Sequence, residues 1–99
     1  MAKYRFTNNA VDDLTAIWDY TKKIWSEKQA EKYYKLIIQA CSEIAKDPNT
    51  GKEYPEVYPE LKGKKTTKHI IFYREMSDKS IEITRILHER MDLKSRLKK

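Results

Sequence analysis

The feature that most constrains the fold is a pair of apolar stripes separated by a helix-start signal. Apolar side chains recur three or four positions apart over residues 11–25 and again over residues 30–44, as on one face of a helix. Between them the segment Ser26–Gln29 has the pattern of a capping box, whose serine begins a new helix. The segment Asp47–Gly51 ends that helix, because its proline cannot continue a helix and its glycine permits a turn. Two helices with so short a link are expected to form an antiparallel hairpin.

The rest of the chain has the period-two pattern of strands. Tyr4 and Phe6 alternate with polar residues and predict a short N-terminal strand. Three more strands are predicted over the polar run 61–68, the apolar run 70–73 and the alternating run that begins at Ile81. The predicted fold class is therefore α+β: an N-terminal strand, a two-helix antiparallel hairpin, then three antiparallel strands, all strands joining one sheet that the helices cover on one face.

The alternation of the last strand slips at Arg85. The arginine falls on the face of Ile81 and Ile83, and Ile86 falls on the opposite face. Either the strand contains a bulge here, or the arginine occupies a part of the face left open. Local irregularities of this kind are frequent at functional sites, so the region is a candidate site.

Length and composition limit the class of protein. Ninety-nine residues make a single domain, 1–99, in which the lysine-rich segment 93–99 is a candidate for a flexible tail. No apolar run approaches the roughly 18 residues that span a membrane, and the N-terminus lacks the apolar core of a signal peptide. The single cysteine, Cys41, is expected to be a small buried hydrophobe and fits a reducing cytoplasm. With two histidines and no ligand spacing, neither a metal nor a cofactor is expected.

Positive charge is concentrated in the last third of the chain. Residues 62–99 contain twelve basic and five acidic residues, whereas residues 1–61 contain nine and ten. A regional positive field predicts a polyanion or an acidic protein as partner. The structural alternative is that the lysines at positions 62, 64, 65 and 68 are solvated or protect a sheet edge.

For several residues the sequence allows either a structural or a functional role. His88 could act as an acid or a base, as an imidazole side chain can, or it could form hydrogen bonds to the main chain at a strand end. His69 is interpreted as structural. Trp18 and Trp25 lie seven residues apart and are predicted to share a helix face, which either packs in the core or contacts a partner. Arg85 is predicted either to form an internal salt bridge, with Asp92 or an N-terminal acid, or to contact a partner.

The element order, together with the runs 69–73 (His-Ile-Ile-Phe-Tyr) and 85–92 (Arg-Ile-Leu-His-Glu-Arg-Met-Asp), resembles the RelE/ParE superfamily of toxins from type II toxin–antitoxin systems. The second run is the more specific and is similar to the ParE branch. That resemblance implies a poison of DNA gyrase that works by binding, is held inactive by an acidic ParD-like antitoxin in a toxin–antitoxin hetero-oligomer, and acts in the cytoplasm. The RelE branch instead implies a ribosome-dependent mRNA endonuclease, and an inactive toxin-fold binding module is a third alternative.

Chemistry favours the ParE branch. RNA cleavage needs a base, an acid and a cation beside the phosphate. The RelE-type nucleases that this chain resembles have a strand arginine where this chain has Ile70, and a late tyrosine or histidine where it has the region of Arg96. Arg90 matches the second nuclease arginine, and further cations could come from Lys64 and Lys65.

The predicted site is consequently a binding surface with no catalytic residue and no metal. Its members lie on the last strand, just after it, and in the basic cluster before the central strand: Arg85, His88, Arg90, Met91, Asp92, Lys64, Lys65 and Lys68.

Overall fold

The computed structural model describes residues 3–55 and 59–89. Its helices and strands follow one another as β1 (Tyr4–Phe6), α1 (Asn8–Ile24), α2 (Glu27–Lys46), a 3₁₀ turn (Pro48–Thr50), β2 (Lys52–Glu53), β3 (Lys62–Thr66), β4 (His69–Glu75) and β5 (Ile81–His88). Neither helix in these ranges is long and apolar enough to cross a bilayer. The predicted α+β order is confirmed, with β2 as an additional two-residue strand.

Each helix of the hairpin begins at a side-chain cap. The hydroxyl of Thr7 accepts a hydrogen bond from the Ala10 N–H at 3.1 Å, and the hydroxyl of Ser26 accepts one from the Gln29 N–H at 3.0 Å. Such caps satisfy N–H groups that have no partner inside the helix. The predicted start of α2 is thereby confirmed, and only two residues separate it from α1.

The five strands form one sheet in the order β1-β5-β4-β3-β2. The pairs β3–β4 and β4–β5 are antiparallel, as predicted, and so is the additional pair β2–β3, but β1 lies parallel to β5. Parallel pairing needs a long crossover, and the chain between β1 and β5 supplies one. The sheet is therefore mixed, and the N-terminal strand forms one of its edges.

The irregularity at Arg85 is a β-bulge. Phe72 of β4 pairs with Arg85, but the next residue, Tyr73, pairs with Ile83, which leaves Thr84 as the extra residue of β5. The Thr84 hydroxyl donates to the Phe72 carbonyl at 3.1 Å. A bulge shifts the alternation by one residue, which explains why Ile83 and Ile86 both face the helices.

The main core lies between the hairpin and the sheet. Its largest fully buried members include Tyr73, Ile37, Ile44, Ile71, Ile81 and Ile83. A second apolar cluster, made by Leu61, Ile70, Phe72 and Leu87 with Tyr54, lies on the other face of the sheet. Both faces of β4 are therefore covered by apolar side chains, as its continuous apolar run predicts.

Of the two alternatives for the tryptophans, core packing is wrong for Trp25. The α1 helix ends at Ile24, and Trp25 is its C-cap residue, with a non-helical backbone. Its side chain leaves the stripe that the helical period assigned to it and is 73% exposed. Trp18 remains on α1 and packs edge-to-face on Tyr34 of α2 with ring centroids 6.0 Å apart.

The 3₁₀ turn after α2 is fixed to the central strand by one hydroxyl. Tyr73 is fully buried, donates to the Pro48 carbonyl at 2.6 Å and accepts from the Gly51 N–H at 3.0 Å. A Cβ on Gly51 would lie 2.3 Å from this hydroxyl oxygen. Glycine is therefore required there by close packing.

Candidate functional site: a groove along α1

A groove of about 920 Å³ lies between α1 and one end of the sheet. At that end the β3–β4 turn lies beside the last residues of β5. Its walls are a single stripe of α1, the start of α2, the β3–β4 turn and the last residues of β5. The lining residues are Asp13, Ala16, Ile17, Tyr20, Thr21, Ile24, Trp25, Gln29, Tyr33, Thr67, Lys68, His69, Arg85, Ile86, Leu87 and His88.

One end of the groove is an exposed apolar surface. Tyr20, Ile24 and Trp25 have 65%, 53% and 73% of their surface exposed, and all three line the groove. Adjacent large apolar side chains with this exposure are typical of a binding surface in a small domain. We name this set of three residues the apolar end.

The other end of the groove is polar. The Tyr33 hydroxyl of α2 lies 2.7 Å from Nδ1 of His69 and also contacts the Thr67 hydroxyl. The His69 and His88 rings, on paired strands, meet edge-to-face with centroids 5.3 Å apart. Thr67 has a left-handed backbone (φ 52°), which the tight β3–β4 turn requires. We name Tyr33, Thr67, Lys68, His69 and His88 the polar end.

Burial, followed by the neighbouring His88 imidazole, lowers the pKa of His69 to about 4. The ring is therefore neutral at pH 7 and has one nitrogen that accepts a hydrogen bond. At 2.7 Å the Tyr33 hydroxyl can donate to Nδ1, which places the ring proton on Nε2. His69 thus fastens α2 to the start of β4, in agreement with its structural interpretation.

Arg85 is held inside the molecule by Asp13 of α1. Its Nε and Nη2 lie 2.7 and 3.0 Å from the two carboxylate oxygens, and the Ile86 N–H donates to the same carboxylate at 3.0 Å. The carboxylate raises the pKa of the Arg85 guanidinium. Of the two readings of Arg85, the salt bridge with an N-terminal acid is the one that the structure contains.

The predicted lysines do not form one patch. Lys64 faces the helices and pairs with Glu43 at 3.1 Å, whereas Lys65 faces the opposite side of the sheet and pairs with Glu89 at 2.7 Å. Lys68, in the β3–β4 turn, is exposed, lines the groove and makes no ion pair with any residue in 3–55 or 59–89. Part of the regional positive charge is therefore balanced internally.

His88 and Ile70 lie on opposite faces of the sheet. Ile70 belongs to the apolar cluster away from the helices, while His88 is paired with His69, whose ring contacts α2. The remaining predicted site residues, Arg90, Met91 and Asp92, lie outside the described residues, as does the predicted tail 93–99.

Cys41 is fully buried, as predicted, and burial raises the pKa of its thiol to about 12. Within 3–55 and 59–89, no three metal-binding side chains come close enough to hold an ion.

Sequence reasoning missed the groove itself. Asp13, Tyr20, Ile24, Trp25 and Tyr33 all line it, yet none of them was singled out as a site residue. The signal that could have found it is the length of the apolar stripe, which continues through Tyr20, Ile24 and Trp25 beyond the α1 residues that pack on the core.

Comparison with known proteins places the chain beside bacterial toxins. A family model described as the ParE toxin of type II toxin–antitoxin systems, parDE, matches residues 4–93. Toxin ParE1 of Mycobacterium tuberculosis is 32% identical over 92 residues, which is 93% of this chain and 94% of that protein. Toxin ParE of Escherichia coli is 31% identical over 97 residues, covering 98% of this chain and 94% of that protein.

Two solved structures share the fold. A chain of the chromosomal ParDE system of P. aeruginosa has a TM-score of 0.73 at 23% identity and covers 89% of this chain and 96% of that one. A chain of the toxin–antitoxin complex RelBE2 of Mycobacterium tuberculosis has a TM-score of 0.67 at 17% identity, covering 88% and 96%.

Proposed function

The chain belongs to the ParE toxin family of type II toxin–antitoxin systems, and on this premise we propose that it arrests growth by binding DNA gyrase without covalent chemistry. A ParD-like acidic antitoxin neutralises it in a toxin–antitoxin hetero-oligomer in the cytoplasm. The working surface is the end of β5 and the segment that follows it, with His88, Arg90, Met91 and Asp92.

The observation that carries the choice of binding over RNA cleavage is the environment of Ile70. This residue stands where the nucleases that the chain resembles have a strand arginine, and it is 7% exposed within an apolar cluster. A buried isoleucine among Leu61, Phe72 and Leu87 offers no charge to a phosphate. A nuclease would have to obtain its cation elsewhere.

The position of His88 gives further support. It lies on the helix-facing side of the sheet, so it cannot share one phosphate with a group at the Ile70 position on the other face. Its ring packs against His69, which itself is tied to Tyr33. This arrangement is better suited to shaping the end of β5 than to general acid catalysis.

The ion pair of Arg85 with Asp13 gives the working surface a rigid base. Three hydrogen bonds to one carboxylate fix the bulge and the main chain at Ile86. The end of β5 is therefore held in place on the sheet. A binding site on a rigid strand end loses less conformational entropy on association than a site on a mobile loop.

The test compares two targets with the same purified toxin. Gyrase supercoiling and cleavage of ribosome-bound message are measured in parallel, and cells that express the chain without antitoxin are examined for filaments and DNA breaks. Inhibition of supercoiling with intact message is the expected result. Message cut at defined codon positions with supercoiling untouched would replace the proposal by a RelE-type endonuclease, and absence of growth arrest would leave an inactive binding module.

A pair of arginine variants sharpens the test. Arg90→Ala should weaken gyrase inhibition by about tenfold, as expected for one interface contact. Arg74→Ala is the matched control, because Arg74 is exposed and pairs with Glu82 toward the other end of β4. A decrease of 10²-fold or more in a message-cleavage rate with Arg90→Ala would instead indicate catalysis.

A further inference from the structure

The positive charge of the chain is divided unevenly between the described residues and the last ten. Residues 3–55 and 59–89 contain sixteen basic and thirteen acidic residues, which is a net charge of +3. Residues 90–99 contain five basic residues and one acidic residue, which is a net charge of +4. Ten residues therefore contribute more net positive charge than the whole described part of the chain.

These ten residues start beside an exposed lysine of the sheet. The Glu89 N–H donates to the Lys68 carbonyl at 2.9 Å, which ties the end of β5 to the β3–β4 turn. The Glu89 carboxylate pairs with Lys65 at 2.7 Å, and Lys68 makes no ion pair with any other described residue. At no more than about 3.6 Å per residue, Lys94 lies within about 18 Å of Glu89. We name the five cations that can thus reach one partner the basic set: Lys68, Lys94, Arg96, Lys98 and Lys99.

The surroundings of Lys68 favour a nucleic acid over an acidic protein. The large exposed apolar side chains of the described residues all lie on or directly after the helices: Val11, Tyr20, Ile24, Trp25, Tyr34 and Leu36. The β3–β4 turn itself consists of Thr67 and Lys68, and both are exposed. The centre of a protein–protein interface is apolar or aromatic, whereas an interface with nucleic acid is polar and strongly positive.

The residue types of the basic set point to the backbone of a duplex. Four of the five members are lysines, and residues 90–99 contain no aromatic side chain on which an unpaired base could stack. Base edges are read mainly by arginine, asparagine and glutamine, whereas a lysine ammonium group binds a phosphate as a point charge. Duplex DNA presents one negative charge about every 1.7 Å, a density that an extended acidic peptide does not reach.

We propose that the basic set binds the phosphate backbone of duplex DNA without reading its sequence. This contact goes beyond the proposed function, because it needs no gyrase. It assigns neighbouring parts of the chain to two partners. His88, Arg90, Met91 and Asp92 contact the enzyme, and the basic set contacts the DNA on which that enzyme acts.

The experiment measures fluorescence anisotropy of a labelled 20-base-pair duplex, on the order of two helical turns, with the purified toxin alone. Each phosphate that is neutralised contributes about −0.9 to the slope of log K against log salt concentration. Five contacts predict a slope of about −4.5, so the affinity should fall roughly 20-fold between 50 and 100 mM salt. Two duplexes of unrelated sequence should bind equally well.

Charge-removing variants locate the contact. The fourfold variant Lys94→Gln, Arg96→Gln, Lys98→Gln and Lys99→Gln should reduce the slope to about −1, and Lys68→Gln alone should reduce it to about −3.6. The matched control removes four exposed helix lysines, at positions 22, 23, 28 and 32, by the same change to glutamine. It has the same net charge as the fourfold variant but should keep the slope of the parent. All variants must keep the urea midpoint of the parent.

Three results would overturn the proposal. The first is no binding of the duplex by the parent toxin at about 20 mM salt, where electrostatic attraction is strongest. The second is an equal loss of slope in the fourfold variant and in the helix control, which would show that only overall charge matters. The third is tighter binding of poly-glutamate of equal total charge, which would assign the basic set to an acidic protein.

Failure of this proposal is distinguishable from failure of the proposed function. A toxin that binds duplex DNA through the basic set but leaves supercoiling untouched would overturn only the proposed target. A toxin that inhibits gyrase but does not bind duplex DNA by itself would overturn only the DNA contact.

Discussion

We expect substitution of Asp13 to lower the free energy of unfolding strongly, even when the side-chain volume hardly changes. Asp13→Asn keeps the shape of the side chain but removes the negative charge that accepts two hydrogen bonds from Arg85 and one from the Ile86 N–H. The amide oxygen of asparagine can still accept a hydrogen bond from the Ile86 N–H. The amide NH2 group, however, is a donor and cannot pair with the donors of the guanidinium. The substitution therefore removes the carboxylate that neutralises a partly buried positive charge.

The magnitude follows from the exposure of the pair. Breaking a fully buried ion pair from one side costs about 3–5 kcal/mol, whereas an exposed pair contributes about 0.2–1 kcal/mol. The Asp13 and Arg85 side chains are 14% and 22% exposed, which places the pair nearer the buried limit with some screening by solvent. We expect the free energy of unfolding to fall by about 2–3 kcal/mol, or the melting temperature by roughly 10–20 °C for a domain of this size.

The assay is urea unfolding followed by circular dichroism at pH 7, with Asp12→Asn as the control. Asp12 is the adjacent, exposed acid, so the control makes the same change in net charge. It should alter the free energy of unfolding by no more than about 0.5 kcal/mol. Adding Arg85→Gln to Asp13→Asn should cost less than the sum of the single changes, because the pair is coupled. Equal effects of Asp13→Asn and Asp12→Asn would refute the reasoning.

Three further measurements test other parts of the structure. The NMR titration of His69 should have a midpoint below pH 5. Because this folded pKa lies below the unfolded value of about 6.5, the unfolded chain takes up the proton first as the pH falls. The free energy of unfolding should therefore decrease between about pH 6.5 and about pH 4, by no more than about 3 kcal/mol. A midpoint near 6.5 would contradict the burial of this ring. Tyr73→Phe should lower the free energy of unfolding by about 1–3 kcal/mol in urea melts, because the Gly51 N–H and the Pro48 carbonyl lose their partner. The Cys41 thiol, with its pKa raised to about 12 by burial, should react with a disulfide reagent at pH 8 only at the rate of unfolding, and fast labelling of the native protein would show an accessible thiol.

Local pattern was sufficient for the elements of this fold. The capping serine, the proline stop and the two helical stripes give α1 and α2 within a few residues, because caps and breakers act on the main chain a few positions away. The slip in alternation at Arg85 left two alternatives, of which the bulge is confirmed, since the residues of a regular strand alternate between faces. The family follows from the same local runs.

Tertiary structure decided everything that depends on residues far apart in the chain. The partner of Arg85 is 72 positions away, and the groove joins the stripe of α1 to a strand turn some fifty residues later. The helical period assigned Trp25 to the core, but the end of α1 one residue earlier turned it outward.

The same limit applies to charge. Sequence counts place a positive field in the last third of the chain, but they cannot show that Lys64 and Lys65 lie on opposite faces of the sheet, each beside an acid. The sequence thus determined the local conformations and the overall charge of this protein. Because an ion pair or a groove exists only when separate elements pack together, the packing alone determined which charges and which apolar residues remain available to a partner.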